Sequence, residues 1–211
     1  MSIGHGLIVQ ACRQLREWEV NNASGQPMNV TVNVSPRQFA DAWLVNDLQD
    51  ALQETGIDPA CLQLEMKGSI AAADPKLTIT GLSHLKHMGI RVLLDDFGTG
   101  VMSLVQLTQF PGDALKIDRS LVRDMQAGKT ASDVVELIMA MAHKMKYRVI
   151  AEGIETPRQL ERPIELGCEF GQGYYFSQPM EAKAALFICE LRSQEFALAG
   201  LGRNSFTIPC L

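Results

Sequence analysis

Eight polar residues of this chain stand at or near the point where a short apolar run gives way to a polar segment: Asn33, Glu65, Asp95, Asp96, Lys116, Asp118, Glu152 and Gln172. Side-chain oxygens dominate the set. Hard oxygen donors without His or Cys select Mg²⁺, Mn²⁺ or Ca²⁺ over zinc or copper. If Glu65, Asp95, Asp96 and Glu152 share one mouth, they repel one another unless cations compensate them. One divalent ion resolves this, or two about 3.5–4 Å apart, which would clamp a phosphodiester and lower the pKa of a bridging water until it attacks at neutral pH. Lys116 is then available to orient that water or to neutralise a phosphate oxygen.

Purely structural roles compete with this chemistry. An Asp just past a strand commonly caps the next helix, which would account for Asp95 and Asp96. Asn33, before Ser35-Pro36, suits a turn or a cap. Glu65 resists such an explanation, because an unpaired carboxylate within an apolar strand is costly. The segment Asp96-Phe97-Gly98-Thr99-Gly100 reads either as a flexible lid beside the carboxylates or as a plain tight turn. His84, His87 and His143 fall on helices, not at strand ends, and are assigned no chemistry.

Residues so far apart need a scaffold that gathers them. Ile8, Cys12, Leu15 and Trp18 recur at helical spacing over 7–18. A turn cluster from Asn21 to Pro27 precedes a strand over 28–34. A helix over 36–55, with Phe39, Leu44, Leu48 and Leu52 on one face, stops near Gly56. Then follow a strand 62–66, a helix 74–88, strands 90–94 and 114–117, and a helix 130–145 carrying Val134, Ile138, Met141 and Met145. Strand 148–151, helix 157–166, strand 170–176 and a helix 181–193 complete the pattern. Such alternation implies a parallel sheet covered by helices, as in open doubly wound sheets and closed barrels. Polar groups at nearly every strand end favour the barrel, which collects its chemistry on one rim.

The chain has 211 residues, 46% of them hydrophobic, and a formal charge of −5. Such a composition excludes disordered and collagen-like classes. The charge argues against coating nucleic acid or anionic membrane. The cysteines (Cys12, Cys61, Cys168, Cys189, Cys210) form no CxxC pair and read as reduced thiols. A signal-peptide pattern and any run of ~20 apolar residues are both missing, so no membrane segment is expected and the cytoplasm is the default location.

Taken in order, Asn33-Val-Ser-Pro36, Leu62-Gln-Leu-Glu65, Asp95-Asp-Phe-Gly-Thr-Gly100, Leu115-Lys-Ile-Asp118, Ala151-Glu-Gly-Ile-Glu-Thr156 and Gln172-Gly-Tyr174 resemble the motifs of the bacterial EAL domain family from about residue 5 to 192. The resemblance implies an α/β fold, a modified (β/α)₈ TIM-like barrel. It also implies hydrolysis of cyclic di-GMP to linear pGpG with Mg²⁺ or Mn²⁺. By motif, Asn33, Glu65, Asp95 and Glu152 would ligate metal, with Asp96 at a second ion or its water. Lys116 would hold the attacking water, and Glu152 would double as general base. Gln172, Pro179 and Asp118 fall on the substrate side, Phe97, Gly98, Thr99 and Gly100 form the lid loop, and Glu155 helps to fix it. The domain is expected over 1–195, with a tail over 196–211.

Three departures accompany these matches. The Glu-Ala-Leu segment, with the first two strands, has no counterpart, which removes one metal ligand and a substrate-contacting arginine. Lys67-Gly68 stands where Thr-Glu is usual, so the carboxylate that steadies the lid is missing, and the lid continues as Gly100-Val-Met-Ser103 instead of with Tyr-Ser-Ser. These changes imply an impaired phosphodiesterase or, alternatively, an inactive cyclic di-GMP receptor or interaction module. Expected partners are cyclic di-GMP, a second copy as homodimer or through exchanged elements, and sensory domains upstream in a longer chain.

Overall fold

Near-continuous apolar runs such as Val92-Leu-Leu94 suit strands covered on both faces. In the computed structural model, which describes residues 3–22, 27–41, 43–100, 102–126 and 128–189, these runs form one parallel sheet. Its strands are β1 (Val30–Asn33), β2 (Leu62–Lys67), β3 (Arg91–Phe97), β4 (Ala114–Ile117), β5 (Arg148–Ala151) and β6 (Phe170–Gly171). They lie in the order β1-β2-β3-β4-β5-β6. A doubly wound sheet needs a reversal of strand order. Without one, crossovers of a single hand send every helix to the same side and the sheet curls. The expected barrel architecture is therefore present as a six-stranded half-barrel, with β1 and β6 as its edges among the described residues.

Register sorts the side chains. Leu64, Met66, Val92, Leu94, Leu115, Ile117 and Val149 enter the large core beneath the helices. Leu93, Ala114 and Ile150, with Phe170 against them, form a separate small cluster on the other, concave face. Glu65, Asp95, Lys116 and Glu152 share the parity of that second set. A slip of one residue in any strand would turn its functional side chain toward the helices.

Helix α1 (Ile3–Asn21) buries the stripe read from the sequence, Ile8, Cys12, Leu15 and Trp18. The Trp18 indole N–H donates to the Ala182 carbonyl at 3.1 Å, tying the first helix to the last, α10 (182–189). The single helix expected over 36–55 is two, α2 (Pro36–Phe39) and α3 (Leu44–Thr55). A Ser35–Gln38 capping box opens α2. The chain then turns at Asp41, whose carboxylate accepts from the Trp43 N–H at 3.0 Å. Gly56, at φ 64, ends α3 as expected.

A short α4 (Gly68–Ala73) precedes α5 (Pro75–His87), and α6 (Leu104–Gln109) and α7 (Arg119–Asp124) were not anticipated. Six residues are too few for helical periodicity to show. Helix α8 (Lys129–Lys144) buries Val135, Ile138, Met139 and Ala142; of the expected stripe, Ile138 is buried and Met141 and Met145 pack partly buried against the core, whereas Val134 is 40% exposed. Small Ala142 on the inner face lets the helix approach the sheet. Helix α9 (Pro157–Glu165) lies where expected.

The strand expected over 170–176 stops at Gly171 because the chain turns at Gly173. A Cβ there would lie 2.1 Å from the Ile154 carbonyl oxygen, and the Tyr175 N–H donates back to that oxygen. Residues 190–193 of the last expected helix, the tail over 196–211 and Cys210 lie outside the described residues. His84, His87 and His143 are exposed, and Cys12, Cys61 and Cys168 are free thiols. No helix among the described residues is long and apolar enough to cross a membrane.

Candidate metal centre

Glu65 from β2, Asp95 from β3 and Glu152, directly after β5, bring carboxylate oxygens within 4.8 Å of one another. Lys116 from β4 stands among them, only 3% exposed. Its Nζ lies 2.7 Å from Glu65 Oε2 and 3.7 Å from Asp95 Oδ1, and it also pairs with Glu152. One ammonium cannot neutralise three carboxylates. Asp95 Oδ1 is buried without a hydrogen-bond partner, which is costly unless a cation completes the site. The orphaned oxygen, the excess negative charge and the all-oxygen donor set fit a hard divalent ion.

Burial pushes the Glu65 carboxyl up to about 7, against the opposing pull of Lys116. Glu152 is raised for the same reason. Burial alone would lower Lys116, but Glu65 and Glu152 outweigh it and hold the ammonium above its ordinary range. Ligation requires the carboxylates to be ionised. Divalent-ion binding should therefore release protons below about pH 7 and strengthen as pH rises through that value, then level off. Calorimetry in buffers of different ionisation enthalpy at pH 6 and pH 8 checks this, and equal proton release at both would contradict it.

Local backbone geometry aims the two aspartates. Between Leu94 and Phe97 the β3–β4 register shifts, and Asp96 adopts φ 54, a left-handed conformation that Asp tolerates better than most residues. The bulge turns consecutive residues in different directions: Asp95 stays buried at the centre, while Asp96 reaches Lys67 Nζ at 2.6 Å. Neither caps a helix, since Ser103 caps α6. Phe97, expected in the lid loop, instead ends β3 and is 9% exposed within the core, because the bulge carries it to the helix side.

The loop proper starts at Gly98, where φ is 99 and a Cβ would lie 2.2 Å from Leu121 Cδ1. Gly98→Ala should therefore cost about 1–3 kcal/mol through overpacking and backbone strain. The measurement is a lower urea midpoint at unchanged slope.

The other expected site residues are placed less centrally. Asn33 ends β1 level with Glu65 and is exposed, and Ser35, not Asn33, caps α2. Asp118 caps α7, accepting from the Ser120 N–H at 2.8 Å and from the Ser120 hydroxyl. Partial burial alone would raise Asp118, but these bonds outweigh it and leave its carboxyl below the ordinary range. Gln172 is half-buried and connects the strand ends through its backbone, its N–H donating to Ala151 and its carbonyl accepting from Ile154.

Pro179 is exposed. Glu155 is exposed too, and its N–H donates to the Gln159 side chain at 2.7 Å. Among the described residues no hydrogen bond or ion pair joins it to the 98–100 loop. In the sequence Lys67 stands out only as a departure from the family motif. The β2–β3 register, which no single segment encodes, places it level with Asp95 at the end of β2. Lys67, Gly68, Asp95, Asp96, the loop glycines and Met102 line a cleft of about 180 Å³.

The family model for the EAL domain matches residues 2–179. The chain belongs to the EAL domain family. It is 36% identical over 195 residues to signaling protein YkoW of Bacillus subtilis, covering 92% of this chain and 24% of that protein. It is 38% identical over 175 residues to cyclic di-GMP phosphodiesterase NbdA of Pseudomonas aeruginosa, covering 83% of this chain and 22% of that protein. This EAL chain thus spans about a quarter of the length of these curated relatives. Its fold matches the cyclic di-GMP complex of the MucR phosphodiesterase from Pseudomonas aeruginosa with a TM-score of 0.81 at 34% identity, over 87% of this chain and 73% of that one. The half-barrel with its helices is therefore an EAL fold, in a family whose named relatives include cyclic di-GMP phosphodiesterases.

Proposed function

We propose that this EAL domain binds cyclic di-GMP and hydrolyses one of its phosphodiester bonds to give linear pGpG, with Mg²⁺ or Mn²⁺ as the working ion. The observation that carries this reading is the unpartnered buried oxygen of Asp95 among Glu65, Glu152 and Lys116. Asn33, Glu65, Asp95 and Glu152 would hold the ion, and Asp96 a second ion or its water. A bound divalent ion supplies Lewis-acid polarisation of a phosphate oxygen and a water acidic enough to ionise near neutrality.

The chain's own residues supply the remainder. Lys116, already charged and central, orients the attacking water and offsets charge that builds on the phosphate. Glu152, one of the three clustered carboxylates and paired with Lys116, takes the proton from that water as its oxygen bonds to phosphorus. The bond from phosphorus to the ribose 3′-oxygen breaks, and that oxygen leaves with the bonding pair and takes a proton from solvent water to become the 3′-hydroxyl. Gln172, Asp118 and Pro179 are assigned to the nucleotide. The loop from Gly98 to Gly100, with Glu155 as its outer support, covers the reacting phosphate.

A receptor without turnover is the second reading. It is favoured by Gly68, which offers the loop no carboxylate, and by the lysine beside it. Hydrolysis measured with Mn²⁺, beside calorimetric titration of cyclic di-GMP, separates the two. Turnover abolished by a Glu152 substitution supports the enzyme, whereas binding without turnover supports the receptor.

A further inference from the structure

Lys67 has no part in the mechanism above, yet it pairs with Asp96, just before the loop at the rim. Its Nζ lies 2.6 Å from Asp96 Oδ2, with the two side chains 62% and 33% exposed. The bulge presents Asp96 toward β2 at φ 54. Lys67 is the last residue of β2, level with Asp95, so its ammonium stands beside the three-carboxylate cluster, on the carboxylate next to it in sequence. Gly68, the next residue, carries no side chain, and a Cβ there would meet Met102 Cβ at 3.5 Å. The end of β2 thus meets the β3 bulge through charge, and beyond it Gly68 leaves room beside Met102.

We propose that Lys67 is a resident cation of the outer position, occupying Asp96 in competition with a second divalent ion. This rests on reading Asp96 as a ligand or water-holder for that ion. A largely exposed ion pair is weak, so the ion can displace the lysine. The displaced ammonium remains nearby, and its repulsion of a doubly charged ion persists at contact distances even in water. Lys67 consequently sets the order of loading: the inner site fills first, and the outer site fills only at higher ion concentration.

Manganese itself is the probe. Calorimetric titration of the full chain with Mn²⁺, checked by the free-ion paramagnetic signal, counts the ions and gives both affinities. Lys67 is mostly exposed, so Lys67→Met should fold normally. It is expected to tighten the second ion about 10-fold with the first unchanged, while Lys67→Arg keeps the second ion weak. Asp96→Asn should remove the second ion in either background. If Lys67→Met leaves the second affinity unchanged while Asp96→Asn still removes that ion, Lys67 does not compete, although Asp96 remains a ligand. If Asp96→Asn changes nothing in either background, the reading of Asp96 fails and the competition fails with it.

Discussion

Lys116→Met is expected to destabilise the metal-free protein by about 3–5 kcal/mol, the usual cost of removing one partner from a buried ionic cluster. Lys116 is 3% exposed and is the ammonium that Glu65, Asp95 and Glu152 share. Methionine keeps the length and fills the space, so the loss is electrostatic and not a cavity. It should also depend on pH. Lys116 now pulls the Glu65 and Glu152 pKa values down against burial, so without it both climb further above the ordinary 4.5.

A carboxylate whose folded pKa exceeds its unfolded value loses stability as pH rises through the window between the two. The deficit should therefore be small at pH 5 and grow toward pH 8. Mn²⁺ should restore most of it by binding only the folded form. Urea unfolding at both pH values, with and without Mn²⁺, checks this. A loss that is equal at both and indifferent to the ion would mean that Lys116 serves only packing.

Glu152→Gln should reduce cyclic di-GMP hydrolysis by about 10³-fold, within the range for removing a positioned proton acceptor, while nucleotide binding weakens less than 10-fold. Glu152 belongs to two arrangements at once: it is one of the three carboxylates of the cluster, and it pairs with Lys116. Gly153 holds it there. That glycine, at φ 69, leaves only 2.4 Å between its ideal Cβ position and Arg119 Cβ, so the chain leaves β5 along a path few residues could follow. Glutamine preserves the shape and removes the negative charge, which separates charge from packing. The measurement is kcat under saturating Mn²⁺ beside the calorimetric Kd. A kcat within 10-fold of the unmodified chain would move the proton-accepting role to another residue.

How much was legible in advance varied with the range of the forces involved. The stripe of α1 was readable from four residues, because helical spacing is a local property. The six strands and their polar ends were readable for the same reason. In the α8 stripe only Val134 departs from expectation, since Val134 and Val135 look alike until a neighbour selects one of them. Helices α6 and α7 were too short for a period, although the Ser103–Gln106 capping box and the Asp118 cap were visible as residue types. The glycines after Phe97 suggest a turn that would place it in the loop, whereas the bulge at Asp96 lets the strand continue one residue further.

The order of amino acids alone determined the type of the longer elements and the presence of a hard-oxygen donor set at the strand ends, because each depends on neighbours a few positions away. Only the tertiary structure decided that Lys116 sits between carboxylates, bonding Glu65 across 51 positions of chain, and that Lys67 holds Asp96 across 29. Those pairings follow from how parallel strands align with one another. Alignment is set by packing summed over the whole sheet, and no single segment encodes it.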